Sequence, residues 1–409
     1  MSHPFKKFIT SQSMSLAYSN IWSQLLYGIA IIYVARQLLP SQFAPVAIAI
    51  SVIPIAVTFA DWGTNSFYTR ELSAGRIEGN LWRSLFRNQI IVAAVFGAAT
   101  ALLLAIYIPI AICIFTGLAV FSLQSFQASQ VLLRSDGHFG SIAQNNFVYR
   151  LPLLTLPICQ NFAPELLPAF FVGLIALGQI IGTINLLAIT RRFSRLEKRK
   201  HTIQVNNHWS RSGSIAWIPI LTQLKGLDIA IWTALSGTTI TGNYGAVYKL
   251  GQPTEILAQT AITVEYIRWS KAKNLREALN LSNSTKLQLS LSLLAATSLA
   301  VFGNWLAPLL LGDSYRFVGP MLRLVGFASI ASVICTFLVS LLVALRMQKY
   351  ALRGQILLLL TQFSTLFFLA SIMNYSFAGP LALILGLCTS GLYMFFALTV
   401  NGKSNRTRL

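Results

Sequence analysis

Four charged residues lie close together in the sequence, inside two long apolar stretches. Lys225 and Asp228 belong to one stretch, and Lys249 and Glu255 to the next. A charge near the centre of a bilayer costs roughly 2.5–3.5 kcal/mol on insertion scales, so such side chains usually face a protein interior or a watery cavity. The two lysines are therefore candidate cavity cations that bind an anionic group of a substrate. The two carboxylates are candidate coupling or ion-pair residues.

Helical spacing predicts how these four residues meet. Lys225 and Asp228 are three residues apart, so they would share a helix face. The two stretches are joined by a short connection, so they should be antiparallel neighbours. Counting back from that connection places Asp228 level with Lys249, and Lys225 about one helical turn from Glu255. Two interpretations stay open: a neutralised pair that only locks two helices together, and a polar pathway with a titratable carboxylate.

Arg150 is a third candidate substrate-binding cation, in an earlier apolar stretch. It lies about two helical turns from a hydrophilic loop. Its side chain either snorkels to the membrane interface as an anchor or serves as a cavity cation. The four cysteines are scattered through separate apolar stretches, and no P-loop, H-E-x-x-H or dinucleotide fingerprint occurs in the sequence. We therefore predict no metal site, no cofactor and no enzyme chemistry.

The elements that must position these residues are about twelve apolar stretches of roughly 20 residues each, the length that crosses a bilayer. Hydrophobic residues make up 55% of the 409-residue chain and charged residues only 10%. Backbone polar groups in such stretches can be satisfied only within helices. The sequence predicts an all-α integral membrane protein. Its spans lie near 13–35, 45–65, 84–106, 109–132, 143–160, 166–190, 212–236, 241–265, 284–311, 319–345, 353–373 and 377–400.

The basic residues predict the orientation of these spans. The chain has 31 Lys plus Arg against 11 Asp plus Glu, a net charge of +20. Every second connection is rich in Lys and Arg, and the alternate connections hold few. Such an excess marks the cytoplasmic side, so both termini are predicted to be cytoplasmic and the number of spans even. Attraction to anionic lipid headgroups accounts for the basicity, and no nucleic-acid partner is required.

The largest polar interruption divides the spans into two groups of six. We predict an N-terminal lobe at 1–195, a basic cytoplasmic linker at 196–211 and a C-terminal lobe at 212–409. This halving is the organisation expected of a transporter built from two repeats. The segments 42–44 and 243–245 each place an aromatic before a small residue after a short turn. Duplication and chance explain that similarity equally well.

Several short motifs resemble bacterial polysaccharide biosynthesis flippases, the O-antigen flippases of the Wzx type. The stretch 35–44 resembles the A-R-x-L-G-P-x-x-[FY]-G junction after the first span of that family. The stretch 61–72 resembles its D-x-G…R-E-L run, and 225–228 and 242–246 resemble its span 7 and the turn that follows. The motif residues are Arg36, Asp61, Gly63, Arg70 and Glu71.

This resemblance implies a MATE-like fold of the multidrug/oligosaccharidyl-lipid/polysaccharide (MOP) flippase superfamily, with two six-helix lobes around a central cavity. It implies a flippase that carries a polyprenyl-diphosphate-linked oligosaccharide across the bacterial inner membrane by alternating access. It also implies a polysaccharide polymerase complex as a partner. Lys225, Lys249 and Arg150 would bind the diphosphate, and Asp228 or Glu255 would be the titrating group.

Two alternatives from other classes remain. A small-molecule or cation antiporter of the same superfamily should have a less cationic cavity, with carboxylates in the first lobe, where Asp61 is the single intramembrane example. A membrane-embedded glycan polymerase or ligase would normally need a large extracytoplasmic loop rich in Arg and His, and the predicted loops are short. A transport assay that compares lipid-linked oligosaccharide with cationic drugs separates these classes.

The alternation of basic loops makes a prediction about topology. Reporter fusions after residues 200 and 409 should read as cytoplasmic, and a fusion after residue 315 as periplasmic. Paired alkaline phosphatase and green fluorescent protein fusions measure this directly. A periplasmic signal at the C-terminus would show that the number of spans is odd.

Overall fold

The computed structural model describes residues 3–73, 79–193, 208–269, 275–345, 347–372 and 377–404, and the regular structure within these ranges is entirely helical. Nine of the described helical segments are long and apolar enough to cross a bilayer. The prediction of an all-α membrane protein is therefore confirmed. The described chain divides into two compact units. The first comprises Met1–Ala30 and Ile48–Gln223, and the second Ile31–Ala47 and Leu224–Leu409.

The first half of the chain contains eight α-helices. They are α1 (His3–Gln37), α2 (Pro40–Asp61), α3 (Thr64–Ser73), α4 (Gly79–Leu104), α5 (Ile110–Ser135), α6 (Phe139–Val148), α7 (Leu156–Phe162) and α8 (Leu167–Phe193). Short 3-10 helices precede α7 at Leu151–Thr155 and α8 at Pro164–Leu166. The end of α1 and the start of α2 belong to the second unit.

The second half contains another eight. They are α9 (His208–Leu224), α10 (Asp228–Ser236), α11 (Thr238–Trp269), α12 (Leu275–Ala278), α13 (Asn283–Leu311), α14 (Gly319–Ala344), α15 (Gln348–Phe367) and α16 (Ala378–Ser404). 3-10 helices at Lys225–Leu227 and Asp313–Val318 precede α10 and α14, and a π-helical segment at Phe368–Ile372 extends α15. Residues 196–207 of the predicted linker lie outside the described residues.

All twelve predicted spans coincide with helical segments, but three of these do not reach the length and hydropathy of a membrane span among the described residues. The first, α1, carries polar residues such as Asn20 and Gln24. The second, predicted at 143–160, is divided into α6, a 3-10 helix and α7, because Pro152 and Pro157 remove backbone donors. The third, α11, contains Lys249 and Glu255. Prolines and polar residues inside these three segments therefore lower their hydropathy or divide them, although their predicted lengths match a membrane span.

The turns come partly where expected. Pro109 precedes α5 with an extended backbone, so the division between the predicted spans 84–106 and 109–132 is confirmed. The segments 42–44 and 243–245 each follow a short connection, and they lie in the first turns of α2, which begins at Pro40, and α11, which begins at Thr238. Gly237, with φ of +84°, forms the actual turn between α10 and α11. Between the predicted spans 353–373 and 377–400, residues 374–376 lie outside the described residues.

Close helix contacts within each unit require small residues, as is common in membrane bundles. In the first unit, a Cβ on Gly97 would stand 2.6 Å from the carbonyl oxygen of Gly117, so α4 and α5 pack backbone to backbone. In the second unit, a Cβ on Gly326 would stand 2.6 Å from Cα of Ala300, which fixes the contact between α14 and α13. Neither contact tolerates a side chain without a shift of the backbone.

This packing predicts a large effect of one methyl group. Gly326→Ala should lower the thermal midpoint of the detergent-purified protein and its abundance in the membrane, since α13 and α14 must separate; overpacking typically costs about 1–3 kcal/mol. Gly140→Ala is the matched control, because nothing lies within 4 Å of the added Cβ in helix α6. Fluorescence-detected size-exclusion after heating measures both. An unchanged midpoint in Gly326→Ala would show that the helices are not in contact there.

Candidate functional site

A break in the helix between α9 and α10 organises the polar site of the second unit. Residues Lys225–Leu227 form a 3-10 turn, and Asp228 is the first residue of α10. Lys225 and Asp228 therefore lie at the two ends of a short 3-10 turn, in which residues three apart lie on the same face. The predicted shared face is kept, although the helix is not regular there.

Asp228 is fully buried and accepts three hydrogen bonds. Tyr244 Oη donates to Oδ2 at 2.6 Å, Gln362 Nε2 donates to the same oxygen at 3.1 Å, and the backbone N–H of Ile229 donates to Oδ1 at 2.7 Å. Gln362 Nε2 also donates to the carbonyl oxygen of Lys225 at 3.0 Å. One glutamine from α15 therefore ties together the 3-10 turn and the carboxylate that follows it.

The predicted pair between Lys225 and Glu255 is present. Lys225 Nζ lies 2.8 Å from Glu255 Oε2, and it donates a second hydrogen bond to Ser332 Oγ at 3.2 Å. Both charged side chains are mostly buried, at 13% and 12% exposed. The pair connects the 3-10 turn with α11, and the serine adds a contact to α14.

The predicted pair between Asp228 and Lys249 is wrong. Lys249 is 2% exposed, and within the described chain it forms no hydrogen bond and no ion pair. Its Nζ lies 5.5 Å from the centroid of the Tyr248 ring, a cation–π contact. Because the turn is at Gly237 and α11 begins directly after it, the residue that reaches Asp228 is Tyr244. Lys249 lies further along α11.

A proline adds to the polarity around Lys249. Pro253 lies inside α11, four residues after Lys249. Proline has no backbone N–H, so the carbonyl group of Lys249 loses its helical donor. A buried ammonium and a weakened helix therefore occur at the same residue.

Arg150 occupies the interior of the first unit. It follows α6 at the break that leads into the 3-10 helix Leu151–Thr155. Its guanidinium carbon lies 4.3 Å from the centroid of the Tyr27 ring and 4.6 Å from that of Tyr149. The Nε atom is buried without a hydrogen-bond partner. Two aromatic faces thus hold the cation in place and leave one donor open.

The motif residues near the start of the chain have structural contacts. Arg36 Nη1 donates to the carbonyl oxygen of Leu309 at 3.5 Å, at the C-terminal end of α13, where a cation is favourable. Asp61 Oδ1 accepts from the backbone N–H of Asn65 at 3.0 Å and from Thr64 Oγ1 at 3.1 Å. The Asp61 carboxylate therefore caps the start of α3.

The remaining motif residues belong to the same corner. Gly63 has φ of +71° and lets the chain turn between α2 and α3, while Trp62 adopts φ of +47°, which is rare outside glycine. Glu71 is buried in α3. The side chain of Arg70 lies outside the described residues. At this corner Asp61 and Gly63 therefore shape the turn between α2 and α3.

Sequence analysis missed three side chains of the polar site. Tyr244, Gln362 and Ser332 hold Asp228 and Lys225 in place. Gln362 is a polar residue in the middle of an apolar span, and that signal could have identified it. The contact of Tyr244 was missed because the depth count put Lys249 and not Tyr244 opposite Asp228.

No protein-family profile matches the chain, and no curated protein matches it. Solved structures do. The chain is similar to the inward-facing conformation of a multidrug resistance MATE family transporter of the MOP superfamily, with a TM-score of 0.69, 12% identity and coverage of 93% of this chain and 95% of that one. It is similar to the eukaryotic MATE transporter AtDTX14, with a TM-score of 0.64, 13% identity and 98% coverage of both chains. It also matches the Vibrio cholerae MATE transporter VcmN in the bent form, with a TM-score of 0.57, 16% identity and coverage of 96% and 98%.

These similarities show that the chain has the MATE transporter fold. The predicted fold class is thereby confirmed, and the chain is a multi-pass membrane protein. They give no support to the Wzx subtype within the superfamily.

The site predicts two contrasting double-mutant cycles. Lys225→Gln and Glu255→Gln alone should each destabilise the protein by about 3 kcal/mol, because each leaves a buried charge without its partner. The double variant should recover most of that loss. Asp228→Asn and Lys249→Gln should couple more weakly, because these two residues share no hydrogen bond or ion pair within the described chain. Thermal midpoints in detergent measure all six variants. Additive losses in the first cycle would contradict the 2.8 Å ion pair.

Proposed function

We propose that the chain is a secondary transporter that works by alternating access and couples transport to cation movement through the polar site of its second unit. The observation that carries this proposal is a buried carboxylate, Asp228, and a buried, unpaired lysine, Lys249, inside a helix bundle with the MATE fold. Ionisable residues within membrane spans mark substrate and ion pathways. The purely structural role, in which charges only lock helices together, accounts for the Lys225–Glu255 pair and leaves Lys249 unexplained.

The first candidate substrate class is a small organic molecule, carried by an antiport mechanism. The similar solved structures favour it, since one is described as a multidrug resistance transporter. Asp228 would carry the coupling proton or be neutralised by a metal cation, and Tyr244 and Gln362 would hold its charged form in place between cycles. Breaking those hydrogen bonds is the local event that protonation would drive.

The second candidate is a polyprenyl-diphosphate-linked oligosaccharide, as the Wzx-type motifs imply. The feature of the structure that favours it is Arg150, whose guanidinium lies against two tyrosine rings with a buried, unpartnered Nε. A guanidinium held in a fixed plane suits phosphate oxygens. A polymerase complex as partner and the bacterial inner membrane as location belong to this second proposal.

The carboxylate at position 228 provides the test of coupling. Proteoliposomes with an imposed pH gradient should move a fluorescent cationic dye, and Asp228→Asn should reduce the gradient-dependent rate by about tenfold, equivalent to ~1.4 kcal/mol. Asp136→Asn is the matched control, because Asp136 is exposed beyond the end of α5. Equal rates in wild type and Asp228→Asn would remove Asp228 from the coupling path.

The same preparation separates the two cargo classes. Fluorescent lipid-linked oligosaccharide flipping is measured beside dye export, with Arg150→Gln and Arg150→Lys. A small-molecule antiporter moves the dye and not the lipid. A flippase moves the lipid, loses that activity in Arg150→Gln and keeps part of it in Arg150→Lys, where the charge remains and the planar geometry is lost.

A further inference from the structure

An apolar groove lies within the second unit, between α13, α14 and α16. Its volume is about 580 Å³, and its lining is almost wholly apolar. Ala331, Cys335, Cys388 and Gly391 are the small residues that keep α14 and α16 from closing over it. A Cβ on Gly391 would already lie 3.3 Å from Cys335 Sγ, so the floor of the groove is close-packed. The groove is therefore the product of small side chains on two facing helices.

The rim of the groove is open to hydrocarbon. Ile334, Leu392 and Phe395 line it and are 49%, 72% and 57% exposed. On a membrane helix these exposed fractions describe contact with lipid and not with water. An extended hydrocarbon chain can therefore enter from the bilayer without desolvating any polar group.

The floor of the groove lies beside the polar site. Cys335 is one helical turn after Ser332 on α14, and Ser332 accepts the hydrogen bond from Lys225 at 3.2 Å. Ser332 is the fourteenth of the 26 residues of α14, so this junction of apolar groove and cationic side chain is at the middle of the helix. An apolar chain in the groove would have its inner end within reach of Lys225.

We propose that this groove binds the isoprenoid chain of a polyprenyl-diphosphate-linked substrate while its diphosphate crosses the membrane. The proposal rests on the second candidate function. The depth of the junction selects this occupant over an ordinary phospholipid. Phospholipid headgroups stay at the membrane surface, whereas only a lipid whose headgroup is in transit needs a cation near mid-membrane. Lys225, at present paired with Glu255, is that cation.

The test uses a photoreactive polyprenyl phosphate with a diazirine in its isoprenoid chain, added to proteoliposomes of the full-length protein. Mass spectrometry should find label on α14 and α16 in the wild type. Cys388→Trp places an indole in the groove and should reduce labelling there by about tenfold. Thr389→Trp is the matched control, since Thr389 is exposed on the next position of α16 and does not line the groove. Leu392→Trp is a second blocking variant, in case Cys388→Trp does not fold.

Competition identifies the occupant. Unlabelled polyprenyl phosphate should suppress the label, and phosphatidylglycerol at the same concentration should not. Equal suppression by phosphatidylglycerol, or labelling that neither tryptophan variant reduces, would overturn the proposal.

Flipping of lipid-linked oligosaccharide by the wild type, with label confined to other helices, would overturn the groove alone and leave the flippase function standing. Dye export without flipping, together with groove labelling that phosphatidylglycerol cannot suppress, would overturn the flippase function and leave the groove as an isoprenoid site.

Discussion

A carboxylate buried inside a membrane protein has no water to solvate it, so protein groups must donate the hydrogen bonds that Asp228 needs. A tyrosine, a glutamine and a backbone N–H take the place of water, at 2.6, 3.1 and 2.7 Å. These donors come from α11, α15 and α10, so three helices must keep fixed positions for one charge to remain satisfied. Losing any one of these donors would leave a buried carboxylate oxygen without that hydrogen bond, at a cost of about 1–3 kcal/mol. The second unit is therefore tied together at its polar centre as well as by apolar packing.

The backbone near Asp228 is irregular as well. In the 3-10 turn at Lys225–Leu227, residues three apart lie on one face, so Lys225 and Asp228 stay on the same side of the segment. Their partners differ nonetheless, because Lys225 reaches Glu255 while Asp228 reaches Tyr244. Gly237 then reverses the chain with a positive φ that other residues adopt only with strain. The irregular backbone at 225–227 and at Gly237 therefore flanks the segment that carries the buried carboxylate.

Sequence reasoning identified what depends on composition and failed where position depends on backbone detail. Apolar length predicted the helices, and opposite charges at helical spacing predicted the Lys225–Glu255 pair. The Asp228–Lys249 pair failed because the depth count placed the turn after residue 237 and assumed a regular helix before it. An error of a few residues moves a side chain by about one turn, or ~5 Å, which exceeds the reach of an ion pair. The tyrosine–carboxylate contact was missed for the same reason, because the depth count put Lys249 and not Tyr244 opposite Asp228.

Lys249 differs from the other charged residues of the polar site. The charge of Lys225 is neutralised by Glu255, and that of Asp228 is solvated by three donors, whereas Lys249 is buried and makes a cation–π contact with Tyr248. An apolar residue of similar volume would pack at this position without the penalty of an unpaired charge, and replacing buried charges in this way is often neutral or stabilising. Stability alone therefore does not account for a lysine here. A closer approach of Asp228 or Glu255, a bound anion, or the loss of its proton would each relieve the charge of Lys249. Pro253, which weakens α11 one turn away, places the most deformable part of that helix at the residue that has to change partners.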